Sequence, residues 1–359
     1  MQSKEQKIAN FDPSQPGLSD ANLFGLPFSA EESEIVVIPA PWEVTVSYGA
    51  GASEGPEAIY EASYQVDLLH QNFPDLWKLG IHYDDFENNW KETSDKYKEL
   101  AQPIIEALEN GEIIDENHAL KASLDEINAA CTQFNNELKE RTLYWLQKGK
   151  KVILLGGDHS TPLGYYQALA TQHKNFGILH FDAHMDLRIA YEGFTYSHAS
   201  IMYNAIQLPE ITNLLQVGIR DFCEQEVEIV KSSTKVKVFT DNDLKKDEFE
   251  GKNWSQKVDE IIALLPENIL ISIDIDALYR WYCPNTGTPV PGGLSYEQLT
   301  YFLNKISDSN KNLIGMDLVE VAPGENDEWD GNVGARLLFH MCGVLAKKNG
   351  LPVGNEIVF

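Results

Sequence analysis

Three short strings hold residue types that bind divalent metals: His159 in GGDHS, then Asp182, His184 and Asp186 in DAHMD, then Asp274 and Asp276 in DID. The ligand candidates of DAHMD stand at i, i+2 and i+4, a spacing that an extended strand end or tight turn aims at one point. DID adds two carboxylates at i and i+2 on the end of the apolar run ILISIDID. A strand has little reason to bury two like charges unless cations offset their desolvation. Two imidazoles with four carboxylates and no thiolate suit a borderline-to-hard divalent ion, Mn²⁺ first, with Ni²⁺, Co²⁺ or Fe²⁺ also compatible. Two such ions about 3.5–4 Å apart lower the pKa of a bridging water and hold it as a nucleophile at neutral pH. The chemistry indicated is metal-assisted hydrolysis. Singly, each string has a plainer reading: GGDH as a turn with a capping Asp, DAHMD and DID as caps or surface carboxylates, and His180 as a core histidine or one that backs the ligands.

These residues need elements that converge. Apolar, β-branched runs recur along the chain: EIVVIPA, KLGIHY, KVILLGG, FGILHFDAH, LLQVGIR, VKVFTD, NILISIDID and LIGMDLVEV. Segments of helical period separate many of them, among them PEAIYEASYQVDLL, ELAQPIIEALEN, STPLGYYQALATQ, SQKVDEIIALL, SYEQLTYFLNKI and NVGARLLFHMCGVLAKK. This alternation predicts an α/β fold, a mostly parallel sheet covered on both faces. GGDHS, DAHMD, DID and DLVEVAP each end a predicted strand, and open parallel sheets bind ligands at the carboxyl ends of their strands. One domain is expected over 34–359, with an N-terminal extension over 1–33 and a helical insertion near 84–125. The acidic stretches DNDLKKDEFEGKN and GENDEWDG read as solvated connections.

The 359 residues are 43% hydrophobic and 23% charged, with a formal charge of -27. Such a charge repels nucleic acid and anionic membrane and concentrates cations, although solubility or a salty habitat explains it equally well. No apolar run approaches the roughly 20 residues that span a bilayer, and the N-terminus has no signal-like apolar core. The four scattered cysteines form no CxxC pair, so a cytoplasmic location is expected.

The strings GGDHS, FDAHMD, SIDIDAL, CPNTGTPVPGG and MDLVEVAP resemble the ureohydrolases, a family that includes arginase, agmatinase, guanidinobutyrase and formimidoylglutamase. IPAPWEVTVSYGAGASEGPEAI is similar to the agmatinase-type N-terminal segment, so the resemblance covers roughly residues 35 to 348. It implies a three-layer α/β/α sandwich with about eight strands, two Mn²⁺ ions per chain and a homo-oligomer, a trimer or hexamer. It implies that His159, Asp182, Asp186 and Asp274 hold one metal and Asp182, His184, Asp274 and Asp276 the other. By the same resemblance His198 shuttles protons, Glu320 pairs with a guanidinium and Thr288 lies beside it. A planar guanidinium needs a carboxylate that fixes its plane and a nucleophile over its carbon. The departing amine needs a proton, from Asp186 or His198.

The resemblance thus implies hydrolysis of a guanidino C–N bond with release of urea. The YEGFTYSHASIM stretch and the acidic chain favour agmatine, a small cation. Guanidine, guanidinobutyrate, arginine and formimidoylglutamate stay open as alternatives, as does a metal-binding scaffold without turnover. A deacetylase is disfavoured because those enzymes use one zinc. Two segments depart from the family pattern or divide it. DALYRWYCP replaces the usual DALDP, so Tyr279, Trp281 or Tyr282 could narrow the pocket and Arg280 meet a carboxylate, unless they pack at a subunit interface. Arg188 in DAHMDLR could bind a substrate carboxylate or simply pair with Glu192 four residues on.

Overall fold

The computed structural model describes residues 2–15, 17, 21–86 and 88–359. All eight apolar runs form strands: β1 (Ile35–Ala40), β2 (Ile81–Tyr83), β3 (Lys151–Gly156), β4 (Phe176–Phe181), β5 (Ile211–Ile219), β6 (Val236–Thr240), β7 (Asn268–Asp274) and β8 (Asn312–Val319). They make one parallel sheet in the order β2-β1-β3-β8-β7-β4-β5-β6. Apolar side chains leave both faces of each central strand. One face packs on helices Gly55–Ser63, Trp254–Leu264, Tyr296–Asp308 and Trp329–Lys348, the other on Trp90–Glu109, His118–Gln147, Leu163–Gln172 and Ile201–Ile206. Burial on both faces explains why the runs are continuously apolar rather than alternating.

The chain passes from β3 to β4 without pairing them, and the gap is filled later by β8 and β7. The strands that end in the four chemical strings are therefore the four neighbours β3, β8, β7 and β4. Their register is level: Leu155 pairs with Leu318, Leu318 with Ile273 and Ile273 with Phe181. The next residues, Gly156, Val319, Asp274 and Asp182, leave the sheet at one height, at the crevice where such sheets bind ligands.

Several boundaries differ from those read in the sequence. Leu23, Phe24, Leu26 and Phe28 are buried in the core, so part of the stretch before residue 34 is packed against the domain. The expected insertion holds helix Trp90–Glu109, but its boundary at residue 125 cuts through helix His118–Gln147, which packs along Leu163–Gln172 as part of the outer layer. DNDLKKDEFEGKN is mostly a helix, Asp241–Phe249. Its start is fixed by the Thr240 hydroxyl, which accepts the Asp243 amide at 3.1 Å, and Leu244 packs into the core. No helix among the described residues is long and apolar enough to cross a membrane.

Candidate metal centre and substrate cavity

The level strand ends bring the candidate ligands into two groups that share Asp182: His159, His180, Asp182 and Asp186 in one, and Asp182, His184 and Asp276 in the other, each with donor atoms within 4.8 Å of one another. His159 Nδ1 lies 3.0 Å from Asp182 Oδ2, 3.0 Å from Asp186 Oδ2 and 3.3 Å from Asp274 Oδ2. His184 Nδ1 lies 3.1 Å from Asp276 Oδ2 and 3.5 Å from Asp182 Oδ1. Donors at about 2.1 Å from an octahedral ion stand about 3 Å apart along its edges, and these spacings match. Asp182 sends one oxygen to each group, the geometry of a bridging carboxylate. Asp274 sends only Oδ2 toward His159, while its Oδ1 accepts the Asp276 amide at 2.8 Å. Asp182 Oδ1 likewise accepts an amide, that of His184, so this hydrogen bond does not distinguish the two carboxylates.

The backbone around these groups holds their free oxygens in place. Asp276 Oδ1 accepts the Ala183 amide at 3.0 Å, and Asp182 Oδ1 accepts the His184 amide at 2.6 Å. Asp186 adopts φ 52, a left-handed conformation rare outside glycine that persists only where its surroundings over-determine it. Its carbonyl accepts both the Met202 and Tyr203 amides, which supplies that constraint. The donor set fits a divalent pair, because two of its innermost atoms, His159 Nδ1 and Asp276 Oδ2, are buried without a hydrogen-bond partner among the described residues. Electrostatics agree with the geometry. Burial, with the Asp182 charge adding to it, pushes Asp186 up to about 7. Burial also lifts Asp274 well above the ordinary carboxylate range, helped by Asp276 and Asp182. His184 is pushed up to about 12: burial opposes its charge, but Asp276 and Asp182 outweigh that. Such a cluster attracts positive charge.

His180 belongs behind the ligands rather than among them. Gln216 turns Nε2 to the Met185 carbonyl (2.7 Å) and to His180 Nδ1 (3.0 Å), so that nitrogen accepts. His180 Nε2 then donates to Asp182 Oδ2 at 2.8 Å. This is the support that ligating carboxylates commonly receive.

The cluster forms the floor of a cavity of about 220 Å³, lined by His159, His184, Asp186 and Asp274 below and by Glu320, Thr288 and His198 at the sides. Glu320 is buried at φ 63, its backbone held by the Gly157 carbonyl and by the Thr286 hydroxyl, which donates to the Glu320 carbonyl at 2.8 Å. Its Oε1 accepts the His159 amide at 2.8 Å. Burial, followed by the Asp274 and Asp158 charges, holds the Glu320 carboxyl well above its usual range, which favours a cationic ligand beside it. His198 is kept neutral at pH 7: burial, then His184 and His159, push it down to about 4. Its Nδ1 has no hydrogen-bond partner among the described residues.

Arg188 also lines the cavity, but it faces Glu226 at 4.0 Å and stacks over the Tyr191 ring at 4.7 Å. An ion pair with Glu192 is absent among the described residues, so the pairing offered by the sequence spacing is not made. Trp281 is not among the cavity-lining residues. It is 63% exposed, stacks on Tyr279 with ring centroids 4.3 Å apart, and its carbonyl accepts the Trp329 indole N–H at 2.8 Å. A substrate contact by Trp281 within one chain has no support in this arrangement. Arg280 is exposed and makes no ion pair among the described residues.

Sequence reasoning missed the outer wall: Ser47, Tyr48, Tyr191, Asp221, Phe222 and Glu226. The glycine-flanked SYGAG offered a signal for the first two. A Cβ on Gly49 would lie 2.4 Å from the Gly287 carbonyl oxygen, so this loop presses directly on the segment before Thr288. Buried Glu43 anchors it by accepting the Gly51 and Ala52 amides (2.7 and 3.1 Å) and Lys98 Nζ (2.6 Å).

Known proteins resemble this chain across nearly its whole length. The N(1)-aminopropylagmatine ureohydrolase of Thermus thermophilus is 31% identical over 325 residues, covering 90% of this chain and 93% of that protein. The agmatinase of Bacillus subtilis is 27% identical over 321 residues, covering 87% and 91%. The solved structure of the agmatine ureohydrolase of Thermoplasma volcanium shares the fold with a TM-score of 0.68 at 21% identity, covering 96% of this chain and 98% of that one. The family model described as "Arginase family" matches residues 33–343. With a matching fold, two linked groups of candidate metal ligands and a buried glutamate beside them, the chain belongs to the arginase family, whose binuclear-metal members hydrolyse C–N bonds in linear amidines.

Proposed function

We propose that this ureohydrolase acts on agmatine, releasing urea and putrescine, with Mn²⁺ as the working metal and Ni²⁺ as its alternative. The observation that carries this reading is the placement of Glu320 and the ligand cluster on one cavity whose outer wall offers Asp221, Tyr48 and Phe222. Glu320 Oε2 makes no hydrogen bond among the described residues, and together with the spare lone pair of Oε1 it suits the paired N–H groups of a guanidinium. Asp221 and the two exposed rings suit an ammonium at the other end of a short aliphatic chain. Arg188 argues little for a carboxylate substrate, because Glu226 already faces it.

His159, Asp182, Asp186 and Asp274 would hold one metal, and His184, Asp276 and the second oxygen of Asp182 the other. When bound, the pair lowers the pKa of a water so that it is a nucleophile at neutral pH. Glu320 fixes the guanidinium plane over the cluster. Neutral His198 accepts a proton as the water adds and returns it to the departing amine, the ordinary work of a general base and acid. Asp186, raised to about 7, is the other group able to carry that proton.

A second reading is an agmatine carrying an N-aminopropyl tail. It is favoured by the name and similarity of the Thermus relative and by a cavity mouth whose Tyr48 is 84% exposed, leaving room for a longer cation. Urea release from agmatine, N(1)-aminopropylagmatine, arginine, guanidinobutyrate and guanidine, and formamide release from formimidoylglutamate, under Mn²⁺ and under Ni²⁺, separates these readings. No urea from agmatine overturns the first. We further propose a cytoplasmic homo-oligomer, a trimer or hexamer; sedimentation of the purified chain as a monomer would overturn that assembly.

A further inference from the structure

One strand rank below the ligands, on the same face of the sheet, lies a row of buried polar residues: Asp317 on β8, Ser272 on β7, His180 on β4 and Gln216 on β5. A parallel sheet repeats its side-chain direction every two residues, so Ser272 sits beneath Asp274 and His180 beneath Asp182. All four are fully buried, and apart from Gln216 Oε1 their side-chain polar atoms are hydrogen-bonded, as a low-dielectric core requires.

The direction can be followed atom by atom. Ser272 Oγ donates to Asp317 Oδ1 at 2.7 Å, and Tyr166 donates its hydroxyl to Asp317 Oδ2 at 3.1 Å. A serine hydroxyl has one proton, and here Asp317 holds it. Ser272 Oγ also lies 3.1 Å from His159 Nε2, and toward that nitrogen it can only accept. With Asp317 ionised and accepting at both oxygens, His159 Nε2 carries the ring proton, which leaves the lone pair on Nδ1, the atom aimed at Asp182, Asp186 and Asp274. His184, a half-buried residue of the cavity lining, has no equivalent partner on its second ring nitrogen among the described residues.

We propose that Ser272, with its proton drawn off by Asp317, is a positioning residue that locks His159 in the tautomer and ring orientation able to bind metal. This rests on the reading of the cluster as a metal pair. Partners of this kind change metal affinity by about 10–100-fold when removed.

Metal-free wild-type protein, Ser272→Ala, Ser272→Thr, His159→Ala and the His159→Ala/Ser272→Ala double variant are titrated with Mn²⁺, and free Mn²⁺ is followed by electron paramagnetic resonance. Ser272→Ala should weaken one of the two Mn²⁺ ions by about 10–100-fold, and Ser272→Thr, which keeps the hydroxyl, should restore it to within about threefold. In the His159→Ala background Ser272→Ala should change nothing further, since coupling vanishes once the shared partner is gone. A Ser272→Ala protein that binds both ions as wild type does overturns the proposal, as does an equal loss in the His159→Ala background. Failure of wild type itself to bind two ions would instead overturn the metal-pair reading. One measurement needs no variant. In wild type loaded with diamagnetic Zn²⁺, His159 Nε2–H should give a downfield, slowly exchanging proton signal, and a ring with no proton on Nε2 overturns the proposal.

Discussion

Glu320→Gln separates recognition of the guanidinium from everything else in the cavity. The amide is isosteric, and its oxygen can keep accepting the His159 amide that Glu320 Oε1 now accepts at 2.8 Å. That choice turns the new NH₂ toward the substrate. A guanidinium carries only donors, so two charge-assisted bonds are lost and a donor faces a donor. Hydrogen bonds to charged groups contribute about 1.5–3 kcal/mol each, so two amount to about 3–6 kcal/mol, on the order of 10²–10⁴ in kcat/KM. Stability should move the other way. Burial raises the Glu320 carboxyl, so the folded metal-free protein favours its neutral form, and a neutral amide removes the cost of burying charge near pH 7. Urea release from agmatine, bound metal per chain and thermal unfolding are measured together. Full metal content and an undiminished Tm with less than a tenfold loss of kcat/KM would refute the assignment of Glu320 as the guanidinium partner.

Asp182→Ala removes the one carboxylate common to both ligand groups, so the chain should retain less than one Mn²⁺ after dialysis against trace metal, whereas Asp276→Ala should retain about one; elemental analysis distinguishes them. In the metal-free protein Asp158, Asp186 and Asp317, each pushed by burial from 3.8 up to about 7, bind protons more tightly folded than unfolded. Its stability should therefore be greatest below about 4 with respect to these groups and fall as pH climbs toward about 7, and saturating Mn²⁺ should remove the part of that fall due to Asp186; denaturant unfolding at a series of pH values tests the sign. Asp221→Asn, at the exposed mouth, should raise KM for agmatine by at most about fivefold with kcat unchanged, the scale of a solvent-screened ion pair, and a steady-state series reads it. Trp281→Ala should leave the kcat/KM ratio between agmatine and N(1)-aminopropylagmatine within about twofold, since the ring lies outside the cavity.

Much of this was legible in the sequence for a physical reason. Strands buried on both faces leave continuous apolar runs, and polar residues interrupt them only where something is offset, as at Asp274 and Asp276. The eight strands and the six ligand candidates follow from that contrast. The outer wall does not, because Asp221, Phe222 and Tyr48 lie on loops whose composition resembles any solvated connection. Helix Asp241–Phe249 was hidden for a related reason: its polar residues outnumber the single buried Leu244 that ties it down, and its cap, Thr240, lies at the end of a strand. Trp281, near a ligand in sequence, lies outside the cavity lining because the turn Arg280–Tyr282 carries its ring out to solvent.

The strand order also bears on how the site comes into being. β3 and β4 are made early and left apart, and the two strands that fill the space between them are the last of the sheet to be synthesised. Pairing Leu155 with Leu318 closes a long loop, the kind of contact that slows folding and leaves strand edges open in the meantime. A nascent chain that has passed Asp186, five residues beyond the end of β4, already holds His159, Asp182, His184 and Asp186, but not Asp274 or Asp276. Asp274 and Asp276 join the cluster only once β7 is made, and a chain cut short before Asn268 would expose two unpaired edges around an incomplete ligand set.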